Sequence, residues 1–198
     1  MKDISLHLMD IVQNSISAGA DKIILRIWVE PKQDTYQENS AKISYNLCCE
    51  IIDNGRGMEP EFAKKAADPF KTTRKTRNIG MGLPLLKLSA EMAGGELILE
   101  SELNKGTRIK AFFDVDSIDR IPLGDVASTV KMLVMANPDI TWNIWFSSSG
   151  EEFELDTDEI KKELEDIPLN NNAVLDWIEK TVNDGIRKVF GGVLDEVR

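Results

Sequence analysis

The sequence predicts a mixed α/β (α+β) protein with a smaller α+β appendage at its C-terminal side. Three observations carry this. Helical and strand-like patterns alternate along the whole chain. Hydrophobic residues make up 42% and charged residues 29% of the 198 positions, the balance of a chain that buries a core. The charge is also divided. Residues 1–115 carry 16 basic and 16 acidic side chains, whereas residues 116–198 carry 8 and 18, so the entire net charge of −10 falls in the second part. A strand-like GTRIKAFFDV ends near Val115 and SIDRIPLG follows it. The expected boundary therefore lies near residues 116–122, with one unit over 1–115 and another over 116–198.

Residues 5–18 read as a helix with Leu6, Met9 and Val12–Gln13 bracketing one face and Ala18-Gly19-Ala20 as its stop. Residues 22–29 and 42–52 read as strands around a polar loop, and the second runs into the turn-rich Asp53-Asn54-Gly55-Arg56-Gly57. A short helix is expected over 60–67. A second follows over 84–92, with Pro84 tolerated in its first turn. Residues 96–101 and 107–114 read as strands. In the second part, 123–136 reads as a helix, 141–146 and 152–156 as a hairpin, and 158–166 and 173–190 as helices. The last carries Val174, Ile178, Val182, Ile186 and Phe190 as a buried stripe.

Composition excludes several classes. Net negative charge argues against nucleic-acid binding. Two adjacent cysteines, Cys48 and Cys49, make no disulfide framework and read as strand packing on opposite faces. The single histidine, His7, reads as a structural group rather than a phosphate acceptor. No apolar run approaches the ~18 residues of a membrane span, and the N-terminus lacks the apolar block of a signal peptide. A cytoplasmic location is the expectation. Trp142 and Trp145 fall on opposite strand faces, as core or interface residues. The acidic stretch Glu151–Asp166 reads as a solvated face, with a basic protein partner as the alternative.

Four pieces carry chemistry. Asp10 and Asn14, four apart, share a helix face. The amide oxygen of Asn14 suits Mg²⁺, and the Asp10 carboxylate suits orienting or deprotonating a water. Asp53 ends a strand, where it can accept the exocyclic amine of adenine and repel the carbonyl guanine offers there. Gly55, Gly57 and Met58 beside it allow close approach to a flat ring. Lys71, Thr72, Thr73 and Arg74 supply cations and hydroxyls for phosphate oxygens. Gly80, Met81, Gly82 and Leu83 precede a helix whose N-terminus attracts anions. Finally, the hydroxyl of Thr107 stands at a strand start, where it can bond the adenine-reading carboxylate directly or through water.

Taken together and in order, these segments resemble the GHKL superfamily of gyrase B subunits, 90-kDa heat-shock chaperones, histidine kinases and MutL mismatch-repair proteins. DIVQNSISAGADKI resembles the family's N box in its mismatch-repair form, DNGRGM its first glycine box, and DPFKTTRKTRNIGMGLPLL the lid and second glycine box of histidine kinases. GGELILESELNKGTRIKAFF resembles the closing strands, with Thr107 at the family's Thr position. The resemblance covers residues 3–114. It implies a Bergerat-type two-layer sandwich, a mixed sheet with helices on one face, with ATP and Mg²⁺ as ligands. Asp10 stands where the hydrolysing members carry Glu, and Asn78 where a Gly is usual. No phosphoacceptor helix precedes the N box, so a complete sensor kinase is not expected. The expected function is an Mg²⁺-dependent ATPase or ATP-driven switch acting on a protein partner. The alternatives are a kinase that phosphorylates a partner and a nucleotide sensor without turnover.

Overall fold

The computed structural model describes residues 3–32, 44–66, 82–191 and 194. The first helix, α1 (Ile4–Ser17), is capped by Asp3, whose carboxylate accepts the Leu6 N–H at 3.0 Å. Strands β1 (Lys22–Pro31) and β2 (Tyr45–Asp53) follow, then helices α2 (Pro60–Ala66) and α3 (Gly82–Met92) and strands β3 (Leu97–Glu102) and β4 (Gly106–Asp114). The second part holds α4 (Val126–Ala136), β5 (Thr141–Ser148), β6 (Glu151–Asp156), α5 (Thr157–Leu164) and α6 (Asn172–Phe190). These strands form one mixed sheet in the order β3-β4-β2-β1-β5-β6. Only the β1–β5 pair is parallel.

Alternation along the strands builds the two faces. Ile23, Leu25 and Ile27 of β1, Cys49 and Ile51 of β2, Ala111 and Phe113 of β4, and Trp142, Ile144 and Phe146 of β5 point to the side where the helices pack, and all are buried. Each large apolar side chain buried there contributes about 1.5–3 kcal/mol. The charge boundary near 116–122 is no break in this core, because β5 pairs with β1 over Lys22–Trp28. The connecting stretch also serves the first helix. Pro122 and Leu123 accept the N–H groups of Ile4 and Ser5 at 2.9 Å each, satisfying donors that a helix start leaves open.

The opposite face is polar and aromatic. Glu50, 2% exposed, receives Arg108 at 2.7 Å and Arg26 at 3.4 Å. Lys110 lies over the rings of Trp28 and Phe112, at 4.7 and 4.4 Å from their centroids. Trp145 tilts against Trp28 on this face, whereas Trp142 lies in the core. Cys48 and Cys49 are buried, free and on opposite faces. Burial pushes the Cys49 thiol up to about 12 and raises that of Cys48 as well, so neither supplies a thiolate for redox chemistry.

Two expectations shift in phase. The inward face of α1 is Ile4, Leu8, Ile11, Val12 and Ser15, while Leu6 is 38% exposed and Met9 half-buried. Packing against both the sheet and α3 selects that rotation. The stripe of α6 holds Val174, Ile178, Val182 and Phe190 as expected, but Gly185 and Val189 join it and Ile186 is left half-buried. A repeat of four cannot stay on one face of a helix with 3.6 residues per turn. Gly185 lets α6 close on β6, since a Cβ there would lie 2.5 Å from the Phe153 ring.

His7 is 1% exposed, and among the described residues neither ring nitrogen meets a partner at full hydrogen-bond geometry. Burial, the largest influence, holds its pKa below the ordinary 6.5, against the opposing pull of the Gly82 backbone, Asp10 and Asp3. The unfolded chain therefore binds this proton first as pH falls. The stability contributed by neutral His7 is full above about pH 6.5 and declines below it. Urea midpoints at about pH 7.5 and pH 5.5 should drop more for the wild type than for His7→Leu. Equal drops would show that His7 carries none of the pH dependence.

Candidate functional site

A cavity of about 370 Å³ opens between α1, the loop after β2, α2 and the start of β4. Asp53, the last residue of β2 and 7% exposed, forms its polar floor. Its Oδ2 accepts the Ser15 hydroxyl at 2.6 Å and its Oδ1 the Gly55 N–H at 2.9 Å. Each oxygen keeps a further lone-pair direction for an incoming donor. Asn14 and Ile11 of α1 form one wall; Met58, Phe62, Leu83 and Leu103 form much of the rest. Thr107 sits opposite Asp53 in the β2–β4 register and lines the cavity. Its hydroxyl pairs with Ser101 at 2.9 Å, while the hydroxyl on Asp53 is that of Ser15. Of the two expected forms, the direct Thr107–Asp53 bond is not made, because the cross-strand neighbour Ser101 is within reach of Thr107.

The loop after β2 is held from several sides. The Asn54 side chain accepts the N–H groups of Asp21 and Lys22 at 3.1 and 3.0 Å and donates to the Asp21 carboxylate at 2.6 Å. Arg56 donates its N–H to Ala18 and accepts from Asn104, at 3.0 and 2.7 Å. Gly57 has φ +63°, and a Cβ there would collide with the Glu102 carbonyl. Gly57→Ala should therefore displace the loop. The expected cost is about 1–3 kcal/mol from the backbone conformation alone, visible as a lower thermal midpoint. An unchanged midpoint would show that the loop yields freely.

Gly82 opens α3 directly against α1, where a Cβ would come within 2.6 Å of the Asp10 Cβ. Asp10 is exposed and lies outside the cavity lining, on the helix that carries Asn14. Of the site residues expected from sequence, Asn14, Asp53, Gly57, Met58, Leu83 and Thr107 line one cavity. Gly55 supports Asp53 from beneath. Lys71, Thr72, Thr73, Arg74, Gly80 and Met81 lie outside the described residues. Sequence reasoning missed Ser15, Arg56, Phe62 and Leu103. For Ser15 a signal existed: a polar residue on the buried face of a helix requires a partner.

The family described as Histidine kinase-, DNA gyrase B-, and HSP90-like ATPase matches residues 2–117. The chain belongs to this family, and ATP is the nucleotide its matched domain binds. Relatives include the histidine protein kinase DivJ of Caulobacter vibrioides, 32% identical over 63 residues that cover 30% of this chain and 11% of that protein. Sporulation kinase C of Bacillus subtilis is 34% identical over 77 residues, covering 39% and 18%. The chain thus matches less than a fifth of the length of these curated relatives. A solved structure of the N-terminal domain of a DNA repair protein shares the fold at TM-score 0.50 and 16% identity, covering 97% of this chain and 58% of that one. The sheet with helices on one face is the Bergerat arrangement expected from the resemblance.

Proposed function

We propose that this protein is an Mg²⁺-dependent ATPase that works as an ATP-driven switch on a protein partner in the cytoplasm. The observation that carries the reading is the buried Asp53 carboxylate, fixed by Ser15 and Gly55 at the floor of an otherwise largely apolar cavity. That arrangement suits the exocyclic amine and flat face of adenine. The N-terminus of α3, beginning at Gly82 beside Asp10, suits the phosphates. Among the described residues no cluster of three His, Cys, Asp or Glu could hold a metal. The donor set fits a hard cation that takes one amide oxygen from Asn14 and the rest from phosphate and water. When bound, Mg²⁺ would neutralise phosphate charge. Asp10, one helical turn from Asn14 and open to solvent, would orient a water and hold its proton.

The likeness to two kinases favours a second reading, in which the γ-phosphoryl passes to a partner's side chain. One experiment separates the two. Purified protein is incubated with γ-labelled ATP and Mg²⁺, and free phosphate is separated from protein-bound label. Free phosphate supports the switch and label on protein supports the kinase. Nucleotide binding without either product would overturn the ATPase and leave a kinase awaiting its acceptor or a sensor.

A further inference from the structure

We infer that the groove between α5 and α6 docks a basic amphipathic helix of a partner protein. The groove has a volume of about 760 Å³ and is lined by Ile160 and Leu164 of α5 and by Val174 and Trp177 of α6. Trp177 is 51% exposed, whereas the other three tryptophans are buried or half-buried. An indole left at the mouth of an apolar groove is the side chain most often found at the energetic centre of interfaces. None of these residues lines the nucleotide cavity.

Charge selects the occupant. Glu159 and Glu163 stand on the groove's edge beside the single cation of its lining, Lys162, and make no ion pair among the described residues. They lie within Glu151–Asp166, which carries nine acidic and two basic side chains. By contrast, the acids on the other side of α6, Asp176 and Glu179, are already taken by Lys131 at 2.7 and 2.6 Å. A groove between two helices accepts a third through apolar residues at i, i+3, i+4 and i+7, and flanking Lys or Arg would meet the acidic edge. An anionic lipid surface would be repelled. A second copy would carry the same acidic groove to the contact. The inference deepens the partner element of the proposed function, and its failure leaves the fate of ATP untouched.

The probe is a dye-labelled peptide of about 18 residues, roughly five helical turns, with leucines on one face and lysines on the other. A peptide of the same composition in scrambled order is the control. Fluorescence anisotropy should show the amphipathic peptide binding at least ~10-fold tighter than the scrambled one, and less tightly as salt rises. Trp177→Ala should weaken it by at least ~10-fold while ATP affinity and the urea midpoint stay unchanged. Glu159→Lys with Glu163→Lys should weaken it too, which tests the groove without touching its apolar lining. Equal binding of the two peptides, or wild-type affinity in Trp177→Ala, would reduce the surface to unspecific attraction and overturn the inference. So would sedimentation showing a wild-type dimer that Trp177→Ala dissolves, since the groove would then serve a second copy.

Discussion

Asp53→Ala is expected to remove ATP binding, with affinity falling at least ~100-fold. A hydrogen bond to a charged acceptor contributes about 1.5–3 kcal/mol, and the variant also strands two buried donors. Those donors are the Ser15 hydroxyl and the Gly55 N–H, which hold the carboxylate at 2.6 and 2.9 Å. Because the Ser15 bond ties α1 to the end of β2, the urea midpoint must be measured alongside. Asp53→Asn keeps the shape and serves as the gentler variant. Its amide can present either a donor or an acceptor, so the preference for ATP over GTP should narrow even where ATP affinity survives. Calorimetric titration with both nucleotides reads all three proteins. Wild-type affinity in a folded Asp53→Ala would remove Asp53 from the site.

Asp10→Asn should leave ATP affinity intact and lower turnover by ~10²–10⁴-fold, the usual share of a positioned acid or base. The substitution is isosteric, so the close contact of Gly82 against the Asp10 side chain is kept and α3 stays in place. What changes is the capacity to take a proton. Phosphate release under saturating ATP measures it. Turnover equal to wild type would assign the water-orienting role elsewhere.

The order of helices and strands was legible because each local signal agreed with its neighbours. The Ala18-Gly19-Ala20 stop after the first helix and the Asp53-Asn54-Gly55 turn after the second strand both mark real ends. The rotation of α1 was not legible. Leu6 and Met9 satisfy a helical period as well as Leu8 and Ile11 do, and only the sheet and α3 decide between the two faces. The joining of β5 to β1 was likewise hidden, since strand pairing across a separation of more than a hundred residues leaves no local trace. In the site, Asp53 and Asn14 were readable because short motifs surround them. Phe62 and Leu103 were not, because they reach the cavity from a separate helix and turn and have only apolar character to announce them.

The parallel pairing of β5 with β1 also sets a schedule for synthesis. Residues 11–109 contain every described residue that lines the cavity, yet the strand that covers the free edge of β1 ends only at Ser148. Until the ribosome has made that strand, β1 offers a row of unpaired backbone groups, the usual template for wrong association. The helix that bears Asn14 waits as well, because the loop at Pro122 and Leu123 that satisfies its first amides is made late. A pocket whose lining is encoded by residue 109 is therefore supported on both sides only after Ser148 has been translated.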